Sequence, residues 1–134
     1  MTNVAEPPFL LNSARVAMYA VTGGAASYTG RITVYVSERL LGPVPRLAIC
    51  EDLVGDRYLL MHCDDSWNVL AAGFANSVAD AQHTAERAYS GVSSKWVSYR
   101  ALSPAELAEV EETRTHLRLL AKEIPNASGS SHAV

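Results

Sequence analysis

The sequence predicts a single α+β domain, built from one mainly antiparallel sheet of about five to six strands with two helices packed on one face. Short apolar segments separated by turn residues recur through the first half of the chain, and one of them, over residues 31–40, alternates with polar residues, which is typical of strands. Apolar residues recur at helical spacing over residues 78–89 and 104–123. The 134 residues, of which 49% are hydrophobic, suit one core of ordinary globular composition.

Five apolar segments separated by turn residues are expected to form strands. The segment over residues 31–40 alternates most regularly, since Ile32, Val34 and Val36 would share one face of an extended chain. Short consecutive strands favour antiparallel pairing. The other four predicted strands cover residues 13–21, Arg46–Glu51, Tyr58–Cys63 and residues 67–74.

Two helices follow, each introduced by an N-cap pattern. Ser77 precedes Asp80 by three residues, and Ser103 precedes Glu106 by three residues, as capping requires. Pro104 suits the first turn of the second helix. The predicted elements of this half are a helix over residues 78–89, a strand over residues 94–100 and a helix over Pro104–Glu123.

The ends of the chain differ in composition from the middle. Residues 1–8 carry Glu6 and two prolines where a secretory signal would be apolar, which predicts a flexible N-terminal arm and a cytoplasmic protein. Residues 125–134 are small, polar and aperiodic, and we expect a disordered tail there. The domain is then expected over residues 9–124, with no membrane span, since no apolar run approaches roughly 20 residues.

The segment from His62 to Asp65 comes closest to a reactive site in composition. A cysteine nucleophile needs a base within hydrogen-bond reach, but neighbours on a strand point to opposite faces. His62 and Cys63 are therefore expected back to back, with Cys63 in the core. The acidic residues and His62 are types that bind metals, but their spacing matches no metal motif. We expect no catalytic residue, no metal and no cofactor, which leans against an enzyme.

Charge and aromatic residues indicate a protein partner. The net charge of -3 has the wrong sign for a nucleic-acid binder, so none is expected. Acidic residues concentrate in residues 51–80 and would attract a basic partner, although Asp is also favoured in turns. Aromatic side chains on an open sheet face would anchor the partner. The predicted partner-binding residues are Tyr35, Asp64, Asp65, Trp67 and Tyr99.

The sequence thus predicts a non-enzymatic binding protein that acts through this acidic and aromatic surface. In size and acidity it resembles small bacterial interaction proteins such as immunity proteins, without a shared motif. An alternative is a small-molecule-binding or enzymatic domain, with a pocket between sheet and helices lined by Tyr58, His62 and Trp67. A third reading is a homodimer through a sheet edge or through the second helix, where Leu119 should be exposed.

Overall fold

The computed structural model describes residues 6–23 and 26–123, and it confirms the α+β class with an antiparallel sheet and two helices. None of the helices described is long and apolar enough to cross a membrane. The strands are β1 (Leu10–Leu11), β2 (Ala14–Val21), β3 (Val34–Val36), β4 (Arg39–Leu41), β5 (Arg46–Glu51), β6 (Tyr58–Cys63), β7 (Val69–Ala75) and β8 (Val97–Ser98). The helices are α1 (Val78–Ala88) and α2 (Pro104–Glu123).

The strands of the main sheet follow the order β1-β2-β5-β6-β7, and β8 also pairs with β2. Strands β3 and β4 form a separate hairpin between β2 and β5 in the chain. The predicted single strand over residues 31–40 is therefore wrong. The chain reverses at Ser37 and Glu38, whose φ angles are 53 and 67 degrees. The tight turn that joins two hairpin strands needs positive φ at both of its central residues, and Asn-Gly is the usual pair. Here Ser37 and Glu38 occupy these positions, so the sequence does not reveal the turn.

The sheet buries side chains on both faces. The helix-side cluster lies under α1, whose short side chains Ala81, Ala85 and Ala88 allow the helix to approach the sheet closely. Its larger members include Leu47, Ile49, Leu60 and Tyr89. The far-side cluster occupies the opposite face and consists of Leu11, Ala14, Val16, Ala48, Cys50, Met61, Cys63 and Trp67.

A β-bulge in β2 determines which side chains each cluster receives. The register of β2 on β5 shifts at Ala17, which has no paired residue in β5. Before the bulge, Ala14 and Val16 belong to the far-side cluster. After it, Ala20 belongs to the helix-side cluster and Met18 packs against it. In a regular strand without a bulge, these four residues, each two positions apart, would all face the same side of the sheet.

Both predicted helix caps are confirmed. The Ser77 hydroxyl accepts the N–H of Asp80 at 3.0 Å, and the Ser103 hydroxyl accepts the N–H of Glu106 at 3.1 Å. The Glu106 carboxylate accepts the N–H of Ser103 at 2.9 Å, which completes a capping box. The predicted strand over residues 94–100 shortens to β8, because a 3-10 turn occupies Val92–Ser94.

Helix α2 is held to the domain as far as Arg114, which donates to the carbonyl of Leu53 at 3.0 Å, and is mostly exposed beyond it. The Arg100 guanidinium donates to both oxygens of Glu106, at 2.8 and 2.9 Å, and Val110 is buried. Leu119 is 52% exposed, as predicted, and Leu120 is exposed beside it. Among the described residues α2 supplies no member of either cluster, so α1 is the helix that fills one face of the sheet.

Residues 6–8 of the expected arm are attached to the domain. The Tyr99 hydroxyl donates to the carbonyl of Pro7 at 2.7 Å, and Pro7 is fully buried. The Arg100 guanidinium donates to the Glu6 carboxylate at 2.8 Å. These contacts connect the start of the described chain to the segment between β8 and α2. The tail predicted over residues 125–134 lies outside the described residues.

Candidate functional site

The hairpin and β7 expose the most accessible large apolar side chains of the described chain. Tyr35 and Phe74 are 65% and 63% exposed, respectively. Strands β3 and β7 lie close together, since both line one cleft. The hairpin surface is defined here as Tyr35, Val36 and Leu40, all of which are exposed. The Phe74 side chain lies on the other face of the sheet, because Phe74 pairs with Leu59, which packs against the far-side cluster.

Strand β7 adds an unprotected backbone edge to this surface. Among the described strands it pairs with β6 alone and stands last in the sheet. Its sequence, VLAAGFA, contains no charged residue and no proline. Proteins usually place such residues on edge strands, because the free N–H and C=O groups recruit another strand. The edge of β7 is therefore suited to pairing with an extended segment.

Three of the six acidic residues in the segment over residues 51–80 stabilise turns. The Asp64 carboxylate accepts the backbone N–H of Asn68 at 2.9 Å and its side-chain amide at 3.0 Å, and these bonds lower the pKa of Asp64. Asp52 and Asp80 also accept backbone N–H groups near their turns. Asp65 is exposed. The preference of Asp for turns thus accounts for much of the acidic pattern.

Trp67 and Tyr99 belong to one aromatic group rather than to the hairpin surface. The Tyr19 ring meets Trp67 at 5.8 Å and Tyr99 at 6.1 Å between centroids, both edge to face. Trp67 is only 5% exposed, and both rings pack in or against the far-side cluster. The structure therefore brings these two expected binding residues together, but mostly inside the protein, whereas Tyr35 stands on the hairpin.

A cleft of about 120 Å³ lies between the hairpin, strands β6 and β7, and α1. Ile32 and Val34 line it from the hairpin side, and Gly73 lines it from β7. Thr84 contributes from α1 and His62 from β6. The cleft is therefore mainly apolar, with the imidazole of His62 as its main polar group.

His62 has unused hydrogen-bonding capacity at this cleft. Its side chain is 8% exposed, and its ring makes no hydrogen bond with a residue that the structure describes. Burial lowers the pKa of His62 below its ordinary value, so the ring is neutral at pH 7. A neutral imidazole carries one donor and one acceptor nitrogen.

His62 and Cys63 lie back to back, as predicted. Both belong to the extended strand β6, but His62 lines the cleft and Cys63 sits in the far-side cluster. Burial raises the pKa of Cys63 to about 12, and burial also raises the pKa of Cys50. Both thiols are therefore protonated at neutral pH, unlike the thiolate of a nucleophilic cysteine.

The expected pocket residues separate in the structure. His62 lines the cleft, Tyr58 packs half-buried against the helix-side cluster, and Trp67 lies on the other face of the sheet. Ile32 and Val34 were missed as cleft residues, because a single strand over residues 31–40 has no reason to fold over β6. Their apolar alternation was visible, but the turn that positions them was not.

Neither a metal centre nor a known relative identifies the site. Among residues 6–23 and 26–123, no group of three or more His, Cys, Asp or Glu side chains could hold a metal ion. Comparison of the chain with protein-family models, curated proteins and solved structures finds no match. What the protein does must therefore be inferred from its own surface and cleft.

Proposed function

We propose that this chain is a binding protein that docks a protein partner through the hairpin surface. The main support is the exposure of Tyr35, Val36 and Leu40 on one hairpin. Single exposed apolar side chains are common, whereas a group of them marks an interaction site. Aromatic residues are also enriched in protein interfaces. An immunity-like or inhibitor-like role in the cytoplasm is consistent with such a surface.

The edge of β7 gives the docking mode. An extended segment of the partner pairs with this edge through main-chain hydrogen bonds, while the hairpin surface receives its side chains. Asp65, in the turn before β7, places an exposed carboxylate near this edge. This charge favours a partner segment that carries a basic residue.

Binding is favoured over catalysis because the groups able to react are kept apart. The imidazole of His62 faces the cleft, and the thiol of Cys63 lies on the opposite face of the sheet. The carboxylate of Asp64 is held by the turn that it stabilises. None of these groups forms the nucleophile-and-base pair that covalent catalysis needs.

The test compares partner capture by the wild-type chain, a Tyr35→Ser/Leu40→Ser variant and a Leu119→Ser control. All three positions are exposed, so each variant should melt within about 2 °C of wild type, because exposed substitutions rarely change stability. We expect a protein captured by wild type and control to bind the double variant at least about tenfold more weakly. Equal affinity for all three chains would refute the hairpin surface as the docking site.

An Asp65→Ala variant tests the acidic contribution. It should reduce affinity mainly through slower association at low salt, because an exposed charge on the rim of an interface steers encounter. Asp64→Ala is unsuitable for this purpose, since its carboxylate accepts the N–H groups of Ser66 and Asn68 and its loss would disturb the turn. If Asp65→Ala associates as fast as wild type at every salt concentration, Asp65 does not contribute to partner binding.

A further inference from the structure

The imidazole of His62 lines the cleft without a hydrogen bond to a described residue, and its nitrogens are not among the enclosed unpartnered atoms of the described chain, which are Arg46 Nε and Trp96 Nε1. Its side chain is more than nine-tenths buried, yet no described residue donates to it or accepts from it. Buried polar groups in native proteins are nearly always hydrogen-bonded, to protein, to water or to a ligand. The ring lines the cleft, so any partner must enter there.

The shape and lining of the cleft restrict that partner. A volume of about 120 Å³ is close to that of an apolar cavity of about 150 Å³ known to hold benzene, so one six-membered ring is the right size. Ile32, Val34 and Leu60 supply aliphatic contacts, whereas the Phe74 ring lies on the other face of β7, because Phe74 pairs with Leu59, which packs against the far-side cluster. None of the described residues that line the cleft is charged, so a charged ligand would lose its hydration without compensation.

We propose that this cleft binds a small neutral ring compound carrying one hydrogen-bonding group, such as a phenol, with that group paired to His62. The ring occupies the apolar part of the cleft beneath the hairpin. The hydroxyl donates to the acceptor nitrogen of His62 or accepts from its donor nitrogen. The site is separate from the proposed protein-docking function and stands if that function fails.

Two variants test the two parts of the site separately, namely the volume that holds the ring and the hydrogen bond to His62. His62→Leu replaces the imidazole with an apolar side chain of similar size, so the hydrogen-bonding partner is lost. Gly73→Val keeps His62 but fills part of the cleft. Gly73 lines the cleft, and a Cβ added there meets no atom within 4 Å. Its backbone does not have the positive φ that favours glycine, and valine is well suited to strands. Leu119→Ser on α2, away from the cleft, is the control.

The experiment is an NMR titration of each chain with phenol, benzene and benzoate at pH 7.5. For wild type and the Leu119→Ser control we expect saturable shifts in β3, β7 and the His62 ring with phenol, at a dissociation constant in the millimolar range, roughly, as fits a ligand of this size. Benzene should bind at least about fivefold more weakly, as the loss of one hydrogen bond implies, and benzoate should not saturate.

His62→Leu should bind phenol and benzene equally, because the discriminating hydrogen bond is gone. Gly73→Val should bind neither, because the added methyl groups occupy the ring site. The proposal is overturned if phenol produces no saturable shift at the cleft, or if His62→Leu still prefers phenol over benzene. It is also overturned if Gly73→Val, shown to be folded by its spectrum, binds phenol as wild type does.

Discussion

Tyr89→Phe removes one hydroxyl group from the centre of the helix-side cluster. That hydroxyl accepts the N–H of Val44 at 2.8 Å, and Tyr89 and Val44 are 1% and 2% exposed. The substitution keeps the ring in place and leaves the buried N–H without its acceptor. An unsatisfied buried donor costs about 1–3 kcal/mol. Because both residues are almost fully buried, we expect a loss in the upper half of that range.

The loss should appear as a lower free energy of unfolding in denaturant titrations at pH 7. At about 4 °C per kcal/mol for a domain of this size, Tm should fall by about 8–12 °C. The slope of the unfolding free energy against denaturant concentration should not change, because wild type and Tyr89→Phe expose the same surface on unfolding.

Tyr28→Phe is the matched control. The Tyr28 ring lies 5.4 Å from that of Tyr89, in contact with the same cluster. Its hydroxyl has no hydrogen-bond partner among the residues that the structure describes. This variant should therefore change stability by less than about 0.5 kcal/mol. A loss below about 0.5 kcal/mol in Tyr89→Phe, or equal losses in both variants, would refute the importance of the Tyr89 hydroxyl.

Two further predictions concern the pH dependence of stability and the hairpin turn. Because the folded pKa of His62 is lowered, the unfolded chain takes up a proton first as pH falls, so wild type should lose Tm between pH 7 and 5 faster than His62→Leu. Parallel melting curves of the two chains across this range would contradict it. Ser37→Asn/Glu38→Gly should raise stability by about 0.5–1 kcal/mol in thermal melts, because these residues suit the positive φ found there. An unchanged or lower Tm would argue against this turn.

Several elements could be predicted to their terminal residues. β5 and β6 are apolar runs bounded by turn residues, and the structure places them at Arg46–Glu51 and Tyr58–Cys63, as predicted. Helix α2 over Pro104–Glu123 was equally clear, because the capping box fixes its start. In each case the deciding signal lies within a few residues of the element itself. Alternation along β6 also separated His62 from Cys63 correctly.

The candidate site could be predicted less well because it depends on distant contacts. The cleft forms where the hairpin folds over β6 and β7, and the turn at Ser37 and Glu38 lacks the usual residues for its geometry. The burial of Trp67 arises from packing against Tyr19, on a strand far away in the chain. The local sequence pattern shows that these residues are apolar, but it does not show which distant residues they contact.

The bulge at Ala17 also bears on how this chain tolerates insertions and deletions. Strand β2 changes phase at that residue, so the upstream side chains face one core and the downstream side chains face the other. Removing Ala17 would leave both halves of β2 in their present register, because Val16 and Met18 already pair with the adjacent residues Cys50 and Ile49. Removing a residue elsewhere in the strand would exchange the inward and outward sets beyond it. A deletion in β2 is thus expected to be tolerated at Ala17 and harmful at its paired positions.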